Sequence, residues 1–292
     1  MQHIRNLLEW GWDHLRGDTS GLKDWANDAA HRGETAAAPS VRRITASDLA
    51  AALVEGLDDF KAHRTDVIFI CIVYPIAGLV LARLVFGYEL LPLLFPIAAG
   101  FALIGPAAAV GLYEMSRRRE AGLDSSWVDA FRVVRSPAFG EILALGLGLV
   151  AIFLAWLAAA NLIYGATLGP APPASVEAFV RDVFMTPAGL AMIAVGIGVG
   201  FLFAAATLAI SVVSFPLILD RQVGVGTAVR TSLRAVGRNP GPMALWGAIV
   251  AGGLVLGSLP AFLGLIVVLP VLGHGTWRLY RKVVVPADSL DG

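Results

Sequence analysis

The sequence predicts an all-α integral membrane protein in which six transmembrane helices form three hairpins, each preceded by a cytoplasmic amphipathic helix. Composition is the first reason: 57% of residues are hydrophobic and 15% are charged, against about 25% charged residues in soluble proteins. Six apolar runs then approach the roughly 20 residues that a helix needs to cross the hydrocarbon core. A polar connector that recurs between these runs is the third reason.

The recurring connector occupies Arg119–Pro137 and returns as Arg221–Pro240. The aligned pairs include Gly122 with Gly224, Ser125 with Thr227 and Arg132 with Arg234. Because each copy lies between apolar runs, we interpret it as a connector on one side of the membrane. The chain then consists of three parallel repeats. These repeats are residues 47–113, 124–210 and 227–280.

Residues 1–40 precede the membrane domain and predict an amphipathic helix followed by a linker. The apolar residues at helical spacing are Ile4, Leu7, Leu8, Trp12 and Leu15. The segment is either a helix that lies on a surface or partner, or a loosely ordered tail. The rest of the chain divides into the six-helix membrane domain, 41–282, and a C-terminal tail, 283–292.

A second amphipathic helix is predicted at Ser47–Ala62. Its expected apolar face is Leu49, Leu53, Leu57 and Phe60. Asp59 and the other charged residues are expected to lie largely outside this face. Thr45, followed three residues later by Asp48, is a variant of the capping box that starts helices.

Six spans follow this helix. They are placed at Val67–Phe86, Leu91–Tyr113, Glu141–Tyr164, Leu190–Ile210, Met243–Leu259 and Ala261–Tyr280. The apolar run after Leu190 continues to Leu219, which is too long for one straight crossing. We therefore expect this run to bend near Ser214 and Pro216.

The distribution of basic residues predicts the orientation. They concentrate before Val67, in both connectors and at the C-terminal end, whereas the other side holds Arg181, with Arg83 near the end of the first span. Cytoplasmic loops carry the excess of basic residues, so both termini and both connectors are predicted to be cytoplasmic. The formal net charge of +0 gives no reason to expect a nucleic acid partner.

The long loop between the third and fourth spans contains a further apolar stripe. Its members are Val176, Phe179, Val180, Val183 and Phe184, between flanking prolines. Such a helix either lies flat on the outer leaflet or packs as a lid over the helix bundle.

Small residues in the later spans predict close helix packing. Gly196 and Gly200 form one GxxxG pair, and Gly253 and Gly257 form another. Glycines at this spacing allow the backbones of two helices to approach closely. They serve packing within the protein or association with a partner.

The spans offer few groups for chemistry. One histidine, His274, and one cysteine, Cys71, lie within them, so no metal site, haem pair or disulfide is predicted. Glu114, Glu141 and His274 fall near span boundaries, where we expect them to reach the interface. No catalytic residue, metal or cofactor is assigned, and no enzymatic activity is expected.

A basic stripe in the second connector is the most distinctive local pattern. The predicted head-group residues are Arg230, Arg234 and Arg238 there, with Arg132 and Arg135 in the first connector. Val229, Leu233 and Val236 fall on another face of the same helix, and Asp129 offsets part of the charge in the first connector. A basic amphipathic helix of this kind either binds anionic lipid head groups or anchors the topology by charge alone.

Several motifs together carry a family resemblance over about Val41 to Lys282. They are RRITASDLAAALVEGLDDF, VIFICIVYPIAGLVLARL, LLFPIAAGFALIGPAAAVGLYEMSRRREAGL, TLAISVVSFPLILD, GTAVRTSLRAVGRNPGPMALWGAIV and LPVLGHGTWRLYRK. The chain resembles a proteobacterial family of predicted integral membrane proteins of unknown function. Members are sometimes labelled cytochrome c oxidase subunit I-like, a label that a single histidine in the spans does not support. The resemblance implies a multi-pass protein of the bacterial inner membrane.

Two functions are compatible with these patterns. The first is a non-enzymatic accessory or scaffolding component of a membrane assembly, with anionic lipids and another membrane protein or a second copy of the chain as partners. The alternative is a carrier of lipid or another hydrophobic small molecule. A polar, water-filled cavity would favour the carrier, and close-packed glycine faces would favour the scaffold.

Overall fold

The structure, a computed structural model, describes residues 39–62, 91–124, 126–260 and 262–285. Within these ranges the chain is helical apart from turns and one isolated antiparallel bridge, between Val41 and Val284. The predicted N-terminal helix and the first predicted span, Val67–Phe86, lie outside the described residues.

Eleven α-helices follow one another in these ranges. They are α1 (Ala46–Ala62), α2 (Leu94–Ala108), α3 (Val110–Glu120), α4 (Trp127–Ala130), α5 (Phe139–Thr167), α6 (Val176–Met185), α7 (Pro187–Ser211), α8 (Ser214–Arg221), α9 (Val225–Arg238), α10 (Pro240–Ser258) and α11 (Leu265–Val283). Short 3₁₀ helices occupy Leu91–Leu93 and Phe131–Arg135.

Four helical stretches are long and apolar enough to cross a membrane. They are Leu91–Glu120, Phe139–Thr167, Pro187–Arg221 and Pro240–Ser258. These stretches contain the second, third and fourth predicted spans and all but the last residue of the fifth, Met243–Leu259. The sixth predicted span corresponds to α11, which is helical but less apolar, because Arg278, Arg281 and Lys282 lie in its second half. The arrangement of six spans in three hairpins therefore stays a prediction.

The long fourth span is interrupted at the place where a bend is predicted. Helix α7 ends at Ser211 and α8 begins at Ser214. Pro216 has no backbone N–H and cannot continue the hydrogen-bond ladder of α7. Ser232 of α9 bridges the break, since its Oγ donates to the carbonyl of Ala209 at 2.7 Å and accepts from the N–H of Val213 at 3.3 Å. The second connector therefore stabilises the helix break that precedes it.

Helix α1 lies against α11 in the most extensive helix contact of the described residues. Glycines permit this contact: a Cβ added to Gly56 would lie 2.6 Å from the backbone nitrogen of Gly275. The two backbones can approach this closely only where both helices have very small residues.

The close crossing corrects the predicted face of α1. Leu49 and Phe60 are buried as expected, but Leu57 is 37% exposed, and Ala52 and Asp59 are buried instead. The helix is rotated so that its small residues meet α11. Its start is confirmed, because the N–H of Thr45 donates to the Asp48 carboxylate at 2.8 Å.

The two connectors begin alike and then differ. Gly122 ends α3 with φ 69° and Gln222 ends α8 with φ 52°, so each connector opens with a left-handed residue. By backbone conformation, Gly122 therefore corresponds to Gln222. The sequence alignment pairs it with Gly224, two positions later. Beyond this residue, the first connector forms α4 and a 3₁₀ turn, whereas the second forms the single helix α9.

Helix α6 packs on the bundle along one side, and its position on the outer leaflet stays a prediction. Val183 is buried, and the ring of Phe179 lies 6.4 Å from that of Tyr164 near the end of α5. Val180 and Phe184 on the neighbouring flank are exposed. One side of α6 therefore packs on the bundle while an apolar flank stays uncovered by described residues.

We expect Gly56→Ala to lower the free energy of unfolding in detergent by about 1–3 kcal/mol, because the added methyl group must push α1 away from α11. Thermal unfolding of the purified protein measures the effect. Gly237→Ala is the matched control, since a Cβ at this helical glycine meets nothing within 4 Å and alanine is the better helix former. Equal melting temperatures for the two variants would contradict the close crossing.

Candidate functional site

One end of the helix bundle, which we call the connector side, gathers the polar features of the protein. It comprises the ends of α3, α8 and α11 and the starts of α5, α9 and α10. Glu141 at the start of α5 accepts a hydrogen bond from the N–H of Val225 at 3.0 Å. This carboxylate satisfies one of the free N–H groups at the N-terminus of α9 and suits the positive end of the helix dipole.

Asn239 holds the other end of α9. Its Oδ1 accepts from the N–H of Ile44 at 2.8 Å, and its Nδ2 donates to the carbonyls of Arg42 at 2.9 Å and Ala235 at 3.1 Å. The next residue, Pro240, begins α10. The start of α9 is therefore bonded to the start of α5, and the end of α9 leads directly into α10. Both α5 and α10 are candidate spans.

Helix α9 has three distinct sides. The buried side consists of Thr227, Ala228, Thr231, Ser232 and Ala235. Successive residues turn by about 100° around a helix, which places the three arginines Arg230, Arg234 and Arg238 together on one flank, where all are exposed. Leu233, 48% exposed, lies with the half-buried Val229 on the other flank, to the far side of Arg230 from Arg234 and Arg238. Apolar and basic residues are thus separated, as predicted.

The predicted head-group arginines differ in their partners. Arg234, Arg238 and Arg135 form no ion pair with any described residue, and Arg230 reaches only the Thr227 hydroxyl, at 3.4 Å, within these ranges. Arg132 has a carboxylate partner, because its Nε lies 2.6 Å from Asp129, which Arg118 also approaches at 3.7 Å. Among the five predicted head-group arginines, the three of α9 therefore keep their charge uncompensated by any described carboxylate.

The repeat explains this difference. Arg132 aligns with Arg234, and in the same register Asp129 aligns with Thr231. The acid of the first connector pairs with its arginine, whereas Thr231 turns inward and donates to the carbonyl of Thr227 at 2.8 Å. Replacement of an acid by a hydroxyl residue at one position leaves Arg234 without the carboxylate that Arg132 has.

A second feature of the connector side is a buried carboxylate. Asp59 is 1% exposed. Both of its oxygens accept from Arg278, at 2.8 Å each, and Arg119 reaches one of them at 2.5 Å. Ser116 also donates to Asp59 at 2.9 Å and shares a 2.7 Å hydrogen bond with Nδ1 of His274. We call these five residues the Asp59 cluster.

The cluster keeps Asp59 ionised. Burial is the largest single influence and raises the pKa of this carboxyl group. The hydrogen bonds and charge of Arg278, the hydrogen bond of Ser116 and the charge of His274 together outweigh burial, so the pKa lies below its ordinary value of 3.8.

A neighbouring set of bonds extends from the cluster to α8. Glu120 accepts from the indole N–H of Trp277 at 3.0 Å and from Arg281 at 2.9 Å. Asp220 accepts from the Tyr280 hydroxyl at 2.6 Å. Helices α1, α3, α8 and α11 are therefore linked by charged hydrogen bonds on the connector side.

Sequence reasoning missed this network. Asp59 was expected at the surface of α1, and His274 and Glu114 at the membrane interface. His274 and Glu114 are buried instead, and Glu114 pairs with Arg117 at 2.8 Å. A signal was present, because His274, Arg278 and Arg281 follow the i, i+4, i+7 spacing of one helix face.

The predicted packing glycines have different surroundings. A Cβ at Gly253 would lie 3.2 Å from Val268, and one at Gly257 would lie 2.8 Å from Leu265, so both face α11. Gly200 faces Trp156 of α5, whereas a Cβ at Gly196 would meet no described atom within 4 Å. Packing at Gly196 stays a prediction.

Comparison with known proteins gives one match. Residues 94–220 fit the sequence model of a family described as "Predicted integral membrane protein (DUF2189)". The chain is an integral membrane protein. The matched residues run from α2 to α8, which is less than half of the chain and narrower than the resemblance described above. Searches of curated proteins and of solved structures find no match.

Among the described residues of this integral membrane protein, no group of three or more His, Cys, Asp or Glu side chains could hold a metal ion. Its connector side instead offers two arrangements: the compensated Asp59 cluster, which holds helices together, and the uncompensated basic flank of α9, which is available to an anionic partner.

We expect Asp59→Asn to lower the free energy of unfolding by about 3 kcal/mol at pH 7, because two arginines lose their buried carboxylate. Since the native pKa of Asp59 is depressed, its contribution is fully present above pH 3.8 and is lost as the pH falls through the lower native pKa. Melting temperatures between pH 3 and pH 7 should therefore decline in acid for the wild type, and less steeply for the variant.

Asp58→Asn is the control for this experiment. Asp58 pairs with Lys61 at 3.2 Å on the surface, where both side chains are more than half exposed, so its loss should cost under about 1 kcal/mol. Identical effects of the two substitutions would show that the Asp59 cluster does not hold α1 in place.

Proposed function

We propose that this protein is a non-enzymatic accessory or scaffolding component of the bacterial inner membrane that acts through association with lipids and with other membrane proteins. The observation that carries this proposal is the basic flank of α9, whose three arginines have no carboxylate partner among the described residues. This basic flank lies near the starts of α5 and α10, and the apolar flank beside it carries Leu233 and Val229.

This geometry suits a helix in the head-group region of a bilayer. Leu233 and Val229 can face the acyl chains while the arginines on the other flank meet phosphate groups. Each arginine near an anionic membrane surface contributes about 1 kcal/mol, so the flank supplies about 3 kcal/mol. That is roughly a hundredfold enrichment of anionic lipid.

The proposal places the connector side and both termini in the cytoplasm. Basic residues of the described chain lie mostly on this side, and the end that carries α6 has Arg181, which is paired with Glu177 at 3.0 Å. The inner leaflet of a bacterial membrane supplies anionic lipids, which are the partners that the basic flank fits.

Replacing Arg230, Arg234 and Arg238 together by Gln should lower the retained anionic lipid by a large factor, up to about a hundredfold, because the charge of the flank is lost. Phospholipid analysis of protein purified in mild detergent gives the readout. The matched control replaces the same residues by Lys, which keeps the charge and should retain most of the lipid.

Unchanged lipid retention in the correctly inserted Gln variant would leave the arginines a topological role only. Substrate-dependent transport or turnover by the purified protein in liposomes would contradict the scaffold and favour a carrier or an enzyme.

Single cysteines in a Cys71→Ser background test the orientation. Ser47→Cys and Gly237→Cys lie at exposed positions on the connector side, and Ala174→Cys lies at an exposed position before α6. An impermeant thiol reagent should label the first two only after the membrane is opened and the third in intact cells. Labelling of Gly237→Cys in intact cells would reverse the proposed orientation.

A further inference from the structure

We propose that the end of α9 and the segment before α1 together form a binding site for a phospholipid head group that carries two phosphates. This inference rests on the proposed function, since it requires the connector side to face an anionic leaflet. It adds a second chain segment and a ligand class to the basic flank.

Asn239 brings the two segments together across 195 positions of the chain. Its side chain bonds the N–H of Ile44 and the carbonyl of Arg42, the residues on either side of Arg43. The backbone on both sides of Arg43 is therefore held at Asn239, the residue that follows Arg238. Both arginines are exposed, whereas Asn239 is only 3% exposed.

The segment that carries Arg43 is fixed independently at its other end. Arg42 donates its backbone N–H to the carbonyl of Val283 at 2.8 Å, and the N–H of Val285 donates to the carbonyl of Ser40 at 3.1 Å. These bonds anchor the segment to the end of α11. A cation on a fixed backbone loses less conformational freedom when it binds than a cation on a loose tail.

Nearby acidic groups are occupied by other partners. Glu55 pairs with Lys282 at 2.7 Å, and Asp220 accepts from Tyr280 and Arg281. Asp48 keeps its charge, because its hydrogen-bond partner Thr45 is neutral, and the cations whose charges act on it are Lys282 and Arg42. Arg43 and Arg238 form no ion pair with a carboxylate of the described residues. The residue at the junction, Asn239, is uncharged. The site therefore keeps its positive charge for a ligand.

The extent of the site favours a ligand with two phosphates. Arg230 and Arg238 lie about 12 Å apart along the helix axis, at 1.5 Å per residue, which is too far for one phosphate to bridge. A guanidinium group binds a phosphate through two parallel hydrogen bonds. One phosphate can thus sit between Arg43 and Arg238, and the second can sit further along the flank at Arg234 or Arg230.

Competition between two lipids tests the site. Full-length protein in detergent is given equal amounts of cardiolipin, with two phosphates, and phosphatidylglycerol, with one, and native mass spectrometry counts the bound molecules. We expect the wild type to prefer cardiolipin by about tenfold. Arg43→Gln should reduce this preference about fivefold and leave the binding of phosphatidylglycerol to α9 unchanged. Arg43→Lys keeps the charge but loses the paired hydrogen bonds. Its preference for cardiolipin should therefore lie between that of the wild type and that of Arg43→Gln.

Arg181→Gln is the matched control, because it removes an exposed arginine at the opposite end of the bundle and should not alter the preference. Inorganic diphosphate in excess should not displace cardiolipin, and displacement would assign the site to a soluble phosphate compound and overturn the lipid assignment. No preference in the wild type, or an unchanged preference in Arg43→Gln, would overturn the two-segment site. A different result would contradict the proposed function, namely that the variant with Gln at Arg230, Arg234 and Arg238 still retains both lipids.

Discussion

The contact between Asp59 and its two arginines is the constraint on which the connector side depends. A carboxylate that is almost fully buried would cost several kcal/mol if it were unpaired, so α1 can lie on α11 only in the register that brings Asp59 to Arg278 and Arg119. The glycines Gly56 and Gly275 make this register sterically possible. Charge and close packing therefore select the same arrangement.

The position of α1 fixes the surface beside it. Once α1 is held, the segment that leads into it pairs with the end of α11 and reaches Asn239. The backbone around Arg43 is thereby fixed beside Asn239, the residue that follows α9. The packing of α1 around the buried Asp59 thus also positions the segment that carries Arg42 and Arg43.

The bundle outside the connector side follows a different rule. Leu147, Phe201 and Leu256 are each at least 60% exposed on candidate membrane-spanning helices. Exposed apolar residues of this size are favourable where lipid is the solvent, and the helical backbone satisfies its own hydrogen bonds there. Polar bonds between side chains are concentrated at the end of the bundle where water and head groups can reach.

Sequence alone determined the membrane class, four of the six predicted helices of spanning length, the helix break after Ser211 and the separation of arginines from apolar residues on α9, because hydrophobic length and helical periodicity are local properties. Only the tertiary structure decided which residues are buried on α1, that Thr231 turns inward where Asp129 pairs with arginine, and that Arg43 lies beside the end of α9. These outcomes depend on contacts between segments far apart in the chain. Within a single helix, Asp59 resembles any surface acid, and it is the approach of α11 at Gly275 that buries this residue and supplies its arginine partner.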